Sequence, residues 1–495
     1  MIVHTIRASC GANHGGWALR LPYQLTALWV APRIVVRGAV MARSLTLGLF
    51  TVLTLPCCGG LDGAPQVDGS TLRVDGSTPQ ADGSAAQVDT LARPANEIRS
   101  AQPRNITPTV APEDATQLAA DNLAFGVDLY GQLRAQNTGN FIFSQTSISL
   151  ALAMQYAGAA NQTAAQMATA LHFTLPPERL HPAFDALDLA LTTAPAGASP
   201  DQFQLVIANS TWVQTGYSFL PSYLDLLAEN YDAGLFAEDF SNSADAARAD
   251  INHWVSDQTQ QKIPELLDPG VVMPTTRLVL ANAVFFHSTW VTGFLPDASS
   301  GTTFHTPTGD KSVSMMWSKG NNATLWGASG WTAARLAYLG ATASMILLVP
   351  DAGTFDAFEQ GLTADRLATM LSPSTAPMAG IVYLPRFQLA TPSPLVGVLA
   401  ALGMTDAFDP ALADLSGMNG AHDLFITAVI HKAVIEVNEA GTTAAAATGT
   451  TTGVLIVIDQ PGETLVVDRP FLFFVRHDAT GAILFQGRVL DPTQE

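Results

Sequence analysis

Between Ala440 and Ile458 the chain runs for 19 residues without a charge, a proline or an aromatic ring. This stretch constrains the fold more than any other. A solvated linker of this length normally carries polar or charged side chains, but this one ends on Val454, Leu455, Ile456, Val457 and Ile458. A strand-like run, Ala433–Val437, leads straight into it, and another begins near Leu465. In an extended strand alternate side chains face opposite ways. Thr442, Ala444, Ala446 and Thr448 would share one face, and Thr443, Ala445, Ala447 and Gly449 the other. All are small and uncharged, so either face can enter a tight slot without burying a charge. Gly441 offers the backbone freedom of a hinge. The segment is suited to becoming a strand inside a sheet.

The rest of the chain supplies such a sheet. Strand-like runs are Leu205–Val213, Leu278–Phe286, Met345–Val349, Gly380–Leu384, Val429–Val437, Phe471–Val475 and Ile483–Val489. Leu118, Phe125, Leu129 and Leu133 recur at helical spacing. A short strand at Phe141 leads into a second helix, which Ser147 can cap and in which Ile148, Leu152 and Tyr156 share a face. A third helix is expected over Asp245–Leu267, with Ile251, Trp254 and Val255 on one side. Early helices and late strands indicate an α+β domain rather than a βαβ alternation.

Several function classes are excluded at this level. The formal net charge of −19 repels a phosphate backbone, so nucleic acid is not an expected partner. Cysteines occur at positions 10, 57 and 58, leaving the main domain without a disulfide or a thiolate metal site. There is no Gly-x-Ser-x-Gly elbow, His-Glu-x-x-His, P-loop or Gly-x-Gly-x-x-Gly. The histidines show no metal-ligand spacing, so no cofactor or metal is expected.

Four segments are expected. Residues 1–40 read as an extended leader or an upstream mis-start. In residues 41–58, Met41 and Arg43 precede an apolar run, Leu45–Leu55, too short to span a membrane. Cys57 and Cys58 follow, with Leu55 three before Cys58, a layout resembling a lipoprotein signal with Cys58 or Cys57 as the acylation site. Export is expected, to the extracellular space or to an outer membrane through a lipid anchor. Residues 59–112, with Asp-Gly-Ser recurring at Asp68, Asp75 and Asp82, read as a disordered tether. Residues 113–495 form the working domain.

Val437-Asn438-Glu439-Ala440-Gly441-Thr442, running on through Thr443, Ala444, Ala445, Ala446, Ala447 and Thr448, resembles the hinge of inhibitory serpins. Further blocks lie in the same order: Asn140 to Met154, Asn282-Ala283-Val284-Phe285-Phe286 with Trp290, Leu384-Pro385-Arg386-Phe387, Ala413 to Met418, and Asp468-Arg469-Pro470-Phe471. The likeness covers about residues 113–495. Three departures stand out: Gln145 replaces the family proline, His287 and Ser288 replace the usual Lys-Gly, and Gln261 replaces a frequent glycine.

The resemblance implies three sheets, about nine helices and an exposed reactive loop. It implies a suicide substrate: a serine protease attacks the loop and forms an acyl-enzyme, the hinge inserts into the central sheet, and the protease is trapped as a covalent complex. By the same resemblance Ser144, Ser147, Asn282 and His431 form a polar gate to sheet opening, with Trp290 and Glu439 near the place where the loop enters. A monomer is expected. Alternatives are a non-inhibitory serpin-fold binding protein and a substrate-like decoy. Counting forward from Gly441 puts the reactive bond at Leu455–Ile456; counting back from Pro470 puts it nearer Asp459, past Val457 and Ile458. Leu455 is preferred because the hinge must supply the inserted strand. No Lys or Arg lies between Glu439 and Arg469, so targets with apolar pockets, chymotrypsin-, elastase- or subtilisin-like, are expected rather than trypsin. Leu455→Arg should therefore redirect inhibition toward trypsin-like enzymes. Trypsin that remains uninhibited by this variant would show that the bond has been misplaced.

Overall fold

The computed structural model describes residues 96–494 except 196–197, 200–201, 296–299, 319, 341, 374–376 and 443–462. The chain divides into residues 1–85 and 86–495, and all described residues belong to the second unit. The leader, Cys57, Cys58 and the Asp-Gly-Ser repeats lie outside the described residues, as do the reactive-bond candidates and the hinge beyond Thr442.

In chain order the elements begin with β1 (Glu97–Ile98), α1 (Pro112–Gln136), β2 (Phe141–Phe143), α2 (Gln145–Tyr156), α3 (Asn161–Ala170) and α4 (Pro177–Thr192). Then come β3 (Phe203–Gln214), α5 (Pro221–Tyr231), β4 (Leu235–Glu238), α6 (Phe240–Gln258) and β5 (Leu278–Thr289). The middle of the chain is β6 (Ser300–Thr306), β7 (Gly309–Met316), β8 (Ala323–Ala328), β9 (Trp331–Ala337), β10 (Ala343–Pro350), α7 (Phe355–Gln360) and α8 (Ala364–Met370). The chain closes with β11 (Met378–Pro385), β12 (Phe387–Pro394), α9 (Val396–Ala401), α10 (Ser416–Asn419), β13 (Ala428–Val437), β14 (Gly441–Thr442), β15 (Glu463–Val466), β16 (Phe471–His477) and β17 (Ile483–Val489).

Two hydrogen-bonded sheets result. The central one has the order β1-β4-β3-β5-β14-β13-β12. The second follows β2-β17-β16-β10-β9-β8-β11-β7-β6, with β15 parallel to β11. The β6–β7 hairpin joins it through only two register pairs, Leu384↔Met316 and Pro385↔Met315, and so stands as a third leaf.

Both faces of the central sheet are covered. On β5, Leu278, Leu280, Val284 and Phe286 face the main core, while Val279, Ala281 and Ala283 face the cluster under α6 with Trp212, Ile251 and Val255. A strand buried on both sides reads as a continuous apolar run, which is how β5 appears in the sequence. α1 begins with Pro112 in its first turn and carries Glu113 and Asp114 there, as its dipole favours.

Three expectations are corrected. The cap of α2 is Ser144, whose hydroxyl accepts from the Ser147 amide at 3.2 Å; Ser147 is already inside the helix. The helix expected over Asp245–Leu267 is α6 and ends at Gln258. Gln260 and Gln261 turn left-handed, φ 51° and 63°, and Pro264 cannot continue a helix. Ile263 and Leu267 are buried without forming one; Asn252 Oδ1 takes the amides of Leu266 and Leu267 at 2.9 and 2.8 Å. Gln261 thus adopts the conformation that suits the glycine it replaces. Finally, residues 96–111, assigned to the tether, lie on the domain: β1 pairs antiparallel with β4, Glu97↔Phe236 and Ile98↔Leu235. Backbone pairing and arginine ion pairs hold a segment too polar to be recognised by its hydrophobicity.

The C-terminal strand is tied in by a buried ion pair. Arg488 donates to Glu359 at 2.7 Å and to the carbonyls of Asn137 and Gly139 at 2.7 and 3.0 Å, while stacking over Phe141. Glu359 also accepts from Tyr130, whose phenol is pushed up by burial. Arg488→Met leaves this carboxylate with Tyr130 and, at 3.7 Å, Arg134 as its remaining partners, and should cost about 3 kcal/mol, the low end for a broken buried pair. Denaturant unfolding checks it, and a loss below ~1 kcal/mol would mean that the network does not hold the strand.

Candidate functional site

β5 and β13 lie side by side and run parallel, from Ala428↔Val279 to Val434↔Phe285. Above this seam the chain leaves β13 at Val437, turns through Asn438–Ala440 and comes back as β14. Thr442 pairs antiparallel with Val437 on one side and with Ser288 on the other. Gly441 and Thr442 are therefore already a strand wedged between β5 and β13.

The turn is pinned at every carbonyl. Trp290 Nε1 donates to Asn438 O at 3.0 Å, Phe294 N to Glu439 O at 3.1 Å and Trp290 N to Ala440 O at 3.0 Å. Asn438 Oδ1 accepts from Ala440 N and Gly441 N at 3.0 and 3.3 Å. Arg386, the residue before β12, clamps Glu439 with two nitrogens, at 2.8 and 2.6 Å. Gly441 passes so close to β5 that a β-carbon there would sit 2.1 Å from the Ser288 carbonyl oxygen. Thr442 is fully buried and its hydroxyl bonds Tyr338 Oη at 2.6 Å. The Tyr338 ring stacks on Trp290, centroids 4.5 Å apart at 12°. Gly441 and Thr442 are thus fixed from both sides, by β5 and β13, and from the core by Tyr338.

Lower on the seam a polar group interrupts the apolar core. Asn282 and His431 are register partners across it. Asn282 Oδ1 bonds His431 Nδ1, and its amide nitrogen donates to Ser147 Oγ at 2.7 Å and Ser147 O at 3.0 Å. The Ser144 backbone amide donates to His431 Nε2 at 3.1 Å. Because an N–H points at Nε2, the proton of this neutral ring sits on Nδ1 and is donated to Asn282. Ser144, Ser147, Asn282 and His431 therefore meet. Both ring nitrogens are engaged and all four residues are buried, so the Ser–His pair cannot serve as nucleophile and base.

Trp290 stands apart from this group. It lies one residue past the end of β5 and eight beyond Asn282, roughly 26 Å at the usual strand rise, and holds the turn rather than the polar group. Three contributors escaped the sequence reading. Asn209 of β3 bonds Asn282 and extends the group to a third strand. Tyr338 receives Thr442, and Arg386 holds Glu439. Arg386 stood in a recognised block; Asn209 and Tyr338 had no local signal.

Burial lowers the pKa of His431 from 6.5 to about 3. Between those values the unfolded chain binds a proton that the folded chain refuses, so stability is present above pH 6.5 and is lost as the pH falls. The His431 share is on the order of 3 kcal/mol by pH 4. His181, lowered to about 4, and His477, also lowered, act in the same direction. Urea unfolding of the parent and of His431→Gln between pH 7 and 4 should show a shallower loss in the variant. Equal slopes would place the titration outside the seam.

Comparison with known proteins covers most of this domain. The family model described as "Serpin (serine protease inhibitor)" matches residues 120–492. Human leukocyte elastase inhibitor is 38% identical over 388 residues, spanning 76% of this chain and 100% of its own. The Bos taurus protein of that name is 40% identical over 387 residues, with the same shares. Among solved structures, uncleaved ovalbumin superposes with a TM-score of 0.68 at 31% identity, covering 76% of this chain and all of its own. The native thermophilic serpin tengpin also gives 0.68, at 25% identity, covering 80% and 97%.

Proposed function

Because the chain belongs to the serpin family, we propose that it traps serine proteases with apolar primary pockets by completing the strand that Gly441 and Thr442 begin. It is a protease inhibitor and not an enzyme. The observation that carries the reading is the wedge itself: an antiparallel strand started between two parallel ones, followed by small uncharged residues.

The existing register defines the path. Thr442 stands opposite Ser288 and Val437. Continuing that register brings Ala445 opposite Phe285 and Val434, and Thr448 opposite Asn282 and His431. Insertion must then part the Asn282–His431 hydrogen bond and replace each parallel pair by two antiparallel ones. Thr442 faces Tyr338 in the core, so Ala444, Ala446 and Thr448 would follow on that face, where only small side chains fit. About a dozen residues gain partners on both sides, worth on the order of 10–20 kcal/mol at ~1 kcal/mol per bond. The uncleaved form is held kinetically.

For the target, two lines agree: the apolar run around Leu455 and the likeness to leukocyte elastase inhibitors. Leu455–Ile456 is the proposed reactive bond. Incubation with an elastase-like and a chymotrypsin-like protease should yield a complex that survives denaturing gels and a released peptide starting at Ile456. Cleavage without a complex by either enzyme would favour the decoy. Export with acylation at Cys58 is proposed on the layout of Met41 to Cys58, and intact mass of the mature N-terminus tests it.

Thr442→Arg should turn the inhibitor into a substrate, because Thr442 is fully buried and the guanidinium would have to be buried with it. The stoichiometry of inhibition measures this. An unchanged value would remove the hinge assignment.

A further inference from the structure

Insertion needs room. To admit a strand between β5 and β13, the wing β5-β3-β4 must move sideways by one strand spacing, ~4.8 Å. β12 and β13 stay with β2, which is paired into the second sheet. The wing slides over α2, on which β3 and β5 rest, and α2 is packed against α1.

The segment before α1 crosses from the moving part to the stationary one. At its start β1 extends the wing beyond β4, and Asn96 adds two bonds there: its carbonyl accepts from Ala237 N at 3.0 Å and its side chain donates to Ala237 O at 3.1 Å. Arg99 then pairs with Asp232, and Ser100 with Asp225, both at α5. Farther on, Arg104 reaches α4, donating to Asp185 at 2.8 Å and to Asp188 at 2.7 Å. The Asp185 side chain is completely buried, so the arginine is the counter-charge on which its burial depends. Asn105 N bonds Glu229 O at 2.9 Å, and seven residues later Pro112 opens α1.

The domain is shaped for this segment. A β-carbon on Gly234 would lie 2.8 Å from the Ile98 carbonyl oxygen and 3.0 Å from Arg99 Cβ. The φ of Gly234 is not in the left-handed region, so an alanine there is opposed by the segment and not by its own backbone.

We propose that residues 96–111 are a strap that restrains lateral movement of the β4-β3-β5 wing and so sets the rate at which the central sheet opens. The strap is fastened to the wing at β1 and, through Arg104, to α4, which packs on α1, and opening must strip one of these fastenings. It rests on the insertion reading. Once the strand is in, the wing has already moved, so the strap no longer governs stability.

The test uses the full chain and two variants that release the strap differently, Gly234→Ala by collision and Arg104→Gln by loss of charge. Arg179→Gln, which removes a different α4 ion pair, to Asp114, is the control. Two rates are measured: spontaneous loss of inhibitory activity by uncleaved protein during incubation, and unfolding of the loop-cleaved protein. Hydrogen exchange over residues 96–105 reports strap release. Both strap variants should lose activity about tenfold faster, as ~1.4 kcal/mol off a barrier would give. Their cleaved forms should unfold at the parent rate, and the control should behave as the parent in both. Unchanged loss of activity with a released strap would overturn the proposal, as would equal acceleration in the cleaved form, which would make the strap a general staple. A strap still protected in both variants would overturn the assigned fastenings. Complex formation by the parent tests the inhibitory reading separately: a parent that forms none sinks that reading, whatever the strap does to cleaved-form unfolding.

Discussion

The parallel contact between β5 and β13 is the constraint on which the rest of this molecule depends. Two neighbouring strands that run the same way leave a position that an antiparallel strand fills better than they fill it themselves. The chain carries its own candidate for that position, attached to the end of β13 by a three-residue turn. Everything around the seam either keeps it closed or prepares it to open. The covered faces keep water out, Asn282 and His431 bridge it, and Gly441 and Thr442 already stand at its top.

A polar group inside this seam has a cost and a use. Buried amides and imidazoles are tolerated only when their hydrogen bonds are made, and here each is answered by a specific donor or acceptor on α2 or a neighbouring strand. Such a pairing favours one register and one spacing of the two strands. It also concentrates the resistance to opening at one place, because apolar side chains can slide past one another while a directional bond must break. The turn above works in the opposite sense. Three successive carbonyls held by Trp290 and Phe294, with Glu439 clamped by Arg386, fix the turn and keep Gly441 and Thr442 at the top of the seam.

Much of this was legible in the residues. The small uncharged run, the strand leading into it, the α+β arrangement and the four members of the polar group all follow from pattern or from ordered blocks of likeness. What was misread has physical causes. Helical spacing of apolar residues extends past Gln258, yet left-handed backbone at Gln260 and Gln261 stops the helix. Ser144 and Ser147 both suit a cap, and only the hydrogen bond tells which one serves. Residues 96–111 look like tether because ion pairs and two backbone pairs, not hydrophobicity, hold them down.

The sequence by itself determined what can be inserted: local alternation and side-chain size need no partner to be read, and so the small uncharged run and the absence of basic residues between Glu439 and Arg469 stand on the chain alone. The tertiary structure decided where insertion begins and what opposes it. Asn209, Tyr338 and Arg386 come to the site from segments distant in sequence, and Arg104 meets Asp185 across 81 positions. Contacts of that kind depend on how strands are ordered and shifted against one another, and no local pattern records strand order, because it is set by the competition of whole faces for burial.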